Sequence, residues 1–332
     1  MEINLLSKYR AALMGVAMLF IAVFHSTLTI DNIIGLRFIK FAGDIGVDIF
    51  FFVSGIGMFY SFLKTTDIKS FYRKRLIRIL PAWVVLNLVV QLYDAIFNGF
   101  NPGWFVLNMT GLSFWLTGSL YYWYVPAILV LYLVTPFFMK MFEKNIKKAY
   151  AFLAIAWIVC IGLCFVVHNA HFFIILFRVP VYFTGIYAGK LCYDKTKVDG
   201  KWTVITALLF FISLVPEIII MKYNETVSFI RYDFKYLCFF VTVVTGTILL
   251  AHIFEKCNME KGVVVRCLSY IGGCTLEIYL LHEFVLARCT YWLSVAGVNT
   301  ASALILNVIN IVVFVAVVFM AHGLEKVFAK VK

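Results

Sequence analysis

The chain has 332 residues, of which 63% are hydrophobic and only 14% are charged. Apolar stretches of membrane-spanning length recur from end to end, which excludes a soluble globular domain and implies a polytopic membrane protein. The net charge of +12 would suggest a nucleic-acid partner in a soluble protein, but here the basic residues fall in alternate loops, and no nucleic acid is expected.

Hydropathy predicts an all-α fold of ten spans, at 11–30, 43–62, 77–97, 121–139, 149–167, 171–189, 202–221, 236–254, 265–287 and 301–322. Each is long enough for a hydrocarbon core of ~30 Å. The first could pass for a signal peptide, since Lys8 and Arg10 precede an apolar run. No small-residue cleavage site follows His25, however, and another span comes at once, so it is read as retained. The apolar stretch Trp104–Thr117 is read as interfacial or re-entrant, because an extra span there would break the parity of the loops. Residues 1–332 are expected to form one transmembrane domain with no appended soluble unit.

With the N-terminus inside, the inner segments are Lys8/Arg10, Lys64–Arg78, Lys140–Lys148, Lys190–Lys201, Lys256–Arg266 and Lys326–Lys332. They hold 22 of the 29 Lys and Arg residues. Both termini are therefore expected to be cytoplasmic, in keeping with an even number of spans. None of the eight cysteines forms a CxxC pair, and Cys160 and Cys164 share a helix face as small packing residues. Neither disulfides nor a metal site is expected. Aromatics cluster on the outer side at Trp104, Trp115, Tyr121, Tyr122, Trp123 and Tyr124. The interfacial aromatic belt accounts for them before sugar stacking is invoked.

Polar residues inside the spans are costly and point to function. Counted at ~1.5 Å per residue from the basic anchors, His25 is ~22 Å above Arg10, and Asp48 and His282 are each ~24 Å above Lys64 and Arg266. These three are level. Arg178 and Glu277 come at ~16–18 Å, near mid-depth, where each needs a partner or a wet cavity. Snorkelling toward the outer headgroups is the plain explanation of the upper layer, and an Arg178–Glu277 ion pair that of the lower one. Convergence of His, Asp, Arg and Glu from four spans favours instead a cavity open to the outside.

A second constellation is Phe71-Tyr-Arg-Lys-Arg-Leu-Ile-Arg-Ile-Leu-Pro81, at an inner loop and helix start. Arg75 and Arg78 are three residues apart and share a helix face, so together they could grip one anion. The planar guanidinium fork suits phosphate oxygens, against the plain alternative of positive-inside anchoring.

These residues carry a family resemblance. Arg10 and His25, Gly46-Val-Asp-Ile-Phe-Phe-Phe-Val-Ser-Gly55, Arg75-x-x-Arg78-x-x-Pro81, Tyr122-Trp-Tyr-Val-Pro126, Arg178-x-Pro180 with Gly185, and Tyr279-Leu-Leu-His282 together resemble the acyltransferase-3 family of integral-membrane acyltransferases. No single piece is decisive, but their order and span positions are specific. The resemblance implies a fold of about ten helices in a bacterial cytoplasmic membrane. It also implies that an acyl group, with acetyl expected, passes from cytoplasmic acyl-CoA to an outer acceptor, a free or lipid-linked sugar or glycan. It makes His25 catalytic and gives donor binding to Arg75 and Arg78, with Arg10 as the first-span basic residue.

The chemistry suits the residue types. A sugar hydroxyl attacks a thioester once a base accepts its proton, and neutral imidazole can do so near pH 7. Asp48 is expected to orient the His25 ring, Arg178 to stabilise an oxyanion or hold the acceptor, and His282 and Glu277 to do either or complete the network. A covalent acetyl-His25 relay is an open alternative. A transporter or flippase for a lipid-linked sugar would also need buried charges, but the chain shows no convincing internal repeat. An inactive scaffold on the same fold is the third possibility.

Overall fold

The computed structural model describes residues 1–26, 28, 34–64, 67–164, 174–223, 228–295 and 303–330. Helices in chain order are α1 (Leu5–Lys8), α2 (Arg10–His25), α3 (Ile34–Phe41), α4 (Ile45–Lys64), α5 (Ile68–Asn98), α6 (Pro102–Thr110), α7 (Leu112–Thr117), α8 (Tyr124–Lys144), α9 (Ile146–Cys164), α10 (Arg178–Tyr193), α11 (Gly200–Lys222), α12 (Ser228–Lys256), α13 (Val263–Gly273), α14 (Thr275–Val295) and α15 (Ala303–Ala329). Among the described residues no strand forms, and only an isolated bridge joins Glu2 to Lys197. In lipid this is expected, since a helix satisfies its backbone polar groups internally.

Eight of these helices, counting α10 with its lead-in from Ile174, are long and apolar enough to cross a bilayer. A ninth crossing is possible only as the pair α13 and α14, bent by 81° at the break. The remaining expected span is the 16-residue α2, which ends at His25 and rises only ~24 Å. Residues 27, 29–30, 165–167, 171–173 and 301–302 of the expected spans lie outside the described residues. The Trp104–Thr117 stretch forms the short helices α6 and α7, separated by Gly111 in the left-handed region, and neither is long enough to span.

Helix α4 is the hub, with residues from Ile45 to Phe62 buried almost continuously. It meets α10 backbone to backbone: a β-carbon at Gly185 would overlap the Phe52 carbonyl oxygen, so only glycine allows this approach. The same device joins α2 to α13, where a β-carbon at Gly272 would overlap the Ala11 carbonyl oxygen. Outward-facing apolar side chains such as Leu92, Ile158, Phe211 and Ile311 remain exposed, as a lipid-facing surface requires.

Basic segments gather at one end. The N-terminal ammonium donates to Val198 O, Lys8 pairs with Glu255 at 2.7 Å and Glu260 at 2.8 Å, and the Arg75 guanidinium donates to Ser61 Oγ at 2.6 Å. The hydrogen bonds to Glu255 and Glu260 hold the Lys8 pKa above its ordinary value. Helix α5 starts at this end, where the Asp67 carboxylate caps it by accepting from the Ser70 N–H at 2.8 Å. With 31 residues it rises ~46 Å, so its basic first turns extend beyond a ~30 Å core.

Candidate active site

Helix α2 stops at His25 because Ser26 turns into extended backbone, with its hydroxyl donating to Val23 O at 2.7 Å. The half-buried His25 ring there meets His282, which lies two turns into α14 and is fully buried. His25 Nδ1 is 3.3 Å from His282 Nε2, and the ring planes are 73° apart.

Hydrogen-bond partners assign the protons. His282 Nδ1 faces the carbonyl oxygens of Tyr279 at 2.9 Å and Ile278 at 3.2 Å, which can only accept. Nδ1 therefore carries hydrogen, and Nε2 of the neutral ring is a lone pair. His25 Nδ1 faces that lone pair and Ile21 O at 3.0 Å, so it donates to both. What remains is His25 Nε2, an unprotonated nitrogen whose ring is held from behind. The arrangement follows the logic of a Ser-His-Asp triad, with an imidazole in the carboxylate's place.

Asp48, expected to orient the His25 ring, is paired with Arg178. Its Oδ2 lies 3.1 Å from Arg178 Nη2, with the two side chains 0% and 1% exposed. Arg178 also donates to Ile174 O and stands over the rings of Tyr236, at 4.6 Å, and Trp123, at 5.2 Å. Depth counting placed these two at different heights, but the long Arg178 side chain spans the gap. The pair joins α4 to α10 and leaves Arg178 without Glu277. Glu277 follows the break before Thr275, which restarts the helix and puts it in the first turn of α14. There it lines a cavity of about 650 Å³ together with Arg73, Lys74, Arg75, Arg78 and Glu325.

A second, smaller cavity of about 70 Å³ adjoins the first, sharing Arg75, Arg78, Thr275 and Leu276 in its walls and adding Arg10, Ser54, Tyr124 and Tyr279. Arg10, Arg75 and Arg78, three of the four arginines singled out from sequence, therefore converge. Buried Nε atoms of Arg10 and Arg75 have no hydrogen-bond partner, so the cationic cradle is under-satisfied as it stands. Gly57 makes room for the Arg10 guanidinium, which a β-carbon there would crowd. Tyr279 forms the far wall, its ring 5.9 Å from that of His282, so the arginine cavity ends beside the histidine pair.

On the other side of the histidines, a pocket of about 260 Å³ is lined by Gln91, Asp94, Asn108, Tyr121, Glu283 and Arg288, among others. A larger cavity, about 800 Å³, is nearly all hydrocarbon and lies against α2, α13 and α15, so chemistry rather than size locates the site. Among the described residues no group of three His, Cys, Asp or Glu side chains is placed to hold a metal.

A family model described as an acyltransferase domain matches residues 12–323, nearly the whole chain. The chain belongs to the acyltransferase-3 family. No curated protein and no solved structure matches it. The protein is thus a multi-pass membrane acyltransferase, and its two histidines stand between an arginine-lined cavity and a polar pocket at opposite ends of the bundle.

Two residues of this acyltransferase escaped the sequence reasoning. Glu283 follows His282, and its carboxylate interacts electrostatically with His25. A carboxylate adjacent to a candidate histidine inside a span was the signal available. Tyr122 was named in the aromatic belt and in a motif, with no part in positioning the site. It adopts a positive φ of 55° and donates through its hydroxyl to Leu280 O at 2.7 Å, which anchors α14 just ahead of His282.

Proposed function

We propose that this acyltransferase moves an acyl group, acetyl, from acetyl-CoA on the cytoplasmic side to a hydroxyl of an envelope glycan on the outer side of a bacterial inner membrane. The observation that carries the reading is the contact of His25 Nδ1 with His282 Nε2 at 3.3 Å, which leaves Nε2 of the neutral His25 ring to act as the base, with Tyr279 of the arginine cavity and Glu283 of the polar pocket on either side of His282 along α14.

Arg75 and Arg78, with Arg10 deeper in, suit the phosphates of the donor nucleotide, because each guanidinium offers several donors in a fixed fork. Buried guanidinium nitrogens without partners in the cradle favour an anionic guest. The pantetheine arm then extends past Tyr279 and Tyr124 toward the histidines, which brings the thioester to His25 while the nucleotide stays at the arginine end.

In the transfer step the acceptor oxygen attacks the thioester carbonyl carbon as its proton passes to His25 Nε2. The resulting imidazolium keeps Nδ1–H directed at the His282 lone pair and Ile21 O. When the tetrahedral intermediate collapses, the carbon–sulfur bond breaks and the His25 proton goes to the departing thiolate. Ester and thiol result, and the imidazole is again neutral. Asp48 and Arg178 support this chemistry from a distance by locking α4 to α10, and Glu277 sets the charge balance of the arginine cavity.

Mass analysis of envelope glycans from cells with and without the gene is the test. The reading expects an ester-linked acetyl mass that disappears with the gene, and identical glycans would overturn it.

A further inference from the structure

The geometry points to the pocket between the outer end of α5, α6, Tyr121 and α14 as the seat of the acceptor, and to that acceptor being a sugar ring without an acidic group. The inference rests on the acyl-transfer reading above and adds to it a place and a chemical class.

The pocket lies next to the histidine pair along α14. Glu283 lines it and is the next residue after His282, and Tyr121 lines it beside Tyr122, whose hydroxyl donates to Leu280 O two residues before His282. An acceptor seated there would lie within one residue of the histidine pair along the helix. The volume, about 260 Å³, lies just under the ~300–1,000 Å³ of typical small-molecule sites, which suits one sugar unit rather than a length of chain.

The walls are prearranged for hydroxyl groups. Asn108 donates to Gln91 Oε1 at 3.1 Å, Gln91 faces Asn87 Oδ1 at 3.4 Å, and Asn87 donates to Asn108 O at 2.9 Å, so α5 and α6 hold the amides in fixed orientations. Among the described residues no hydrogen-bond donor reaches the Glu283 carboxylate, and Asp94 accepts only a long 3.4 Å contact from Asn98. Two carboxylates with spare acceptor capacity beside a tyrosine ring form a set that complements hydroxyl donors on a ring with apolar faces.

Charge narrows the class. The pocket has two carboxylates and one guanidinium, and Arg288 does not neutralise either carboxylate. Instead it stands over Tyr93 at 5.5 Å and Tyr291 at 5.9 Å, and its Nε has no hydrogen-bond partner. No ion pair joins Arg288 to Asp94 or Glu283 among the described residues. Among the described residues no second cation lines the pocket to hold a uronate or phosphate on the ring, so a neutral ring is the better fit.

The experiment uses the full chain in lipid nanodiscs with labelled acetyl-CoA, offering a neutral alkyl glucoside and the matching alkyl glucuronide, with membranes of the producing cells as a third acceptor source. The wild-type protein should acylate the glucoside about tenfold or more faster than the glucuronide. Asp94→Asn should lower the glucoside rate about tenfold at low acceptor concentration with the KM for acetyl-CoA unchanged, and Asp94→Lys should narrow the preference between the two probes. Equal rates on both probes, or turnover of neither while membrane glycan is labelled, would overturn the assigned class. An Asp94→Asn variant that acts like wild type, or one that raises the acetyl-CoA KM, would overturn the assigned place. If the wild type labels no acceptor at all, including membrane glycan, the failure belongs to the acyl-transfer reading itself.

Discussion

Replacing His282 by phenylalanine removes the lone pair that accepts from His25 Nδ1 while filling much of the same volume. The catalytic cost follows from the geometry. In the imidazolium form that bond is charge-assisted, and such bonds contribute about 1.5–3 kcal/mol, a loss of about 10- to 150-fold in kcat. The loss should stay well below the ~10⁴-fold seen when a triad histidine takes the wrong tautomer, because Ile21 O still accepts from Nδ1–H at 3.0 Å and keeps Nε2 unprotonated. Stability should change little, since His282 Nδ1 bonds only to carbonyls of its own helix. The assay is labelled acetyl transfer at saturating donor, with the KM for acetyl-CoA and the thermal midpoint measured beside it. His282→Gln, whose side-chain oxygen can accept, should recover part of the rate. A His282→Phe enzyme within about threefold of wild type would refute the histidine relay, as would a Gln variant no better than Phe.

Asp48→Asn leaves the buried Arg178 charge without its counter-charge and should destabilise the fold by about 3–5 kcal/mol, read as a lower thermal midpoint. Replacing both partners, as Asp48→Asn with Arg178→Met, should recover part of that loss. A fully stable Asp48→Asn protein that has lost transfer would instead give the pair a direct part in the chemistry. Arg75→Gln should raise the KM for acetyl-CoA about 10- to 150-fold through the loss of one charge-assisted contact, with kcat at saturation nearly retained, and a donor titration checks both.

His25 and His282 were expected level from helical rise and basic anchors, and their rings touch. Azimuth was not legible. Asp48 was equally level but faces α10, a direction set by the close glycine packing of α4 against α10 rather than by any span's own pattern. The count that led to Glu277 runs straight through Gly272, Gly273 and Cys274, where the helix axis turns by 81°, a break that hydropathy does not mark. The arginine cradle was legible in part: the three-residue spacing put Arg75 and Arg78 on one face, whereas the approach of Arg10 depends on the open surface at Gly57 across a helix interface.

The central claim is tested most directly by His25→Ala, assayed for transfer of labelled acetyl from acetyl-CoA to glycan in membranes containing the protein. The account predicts loss of the labelled ester with acetyl-CoA binding retained. Ester formation at the wild-type rate would contradict it.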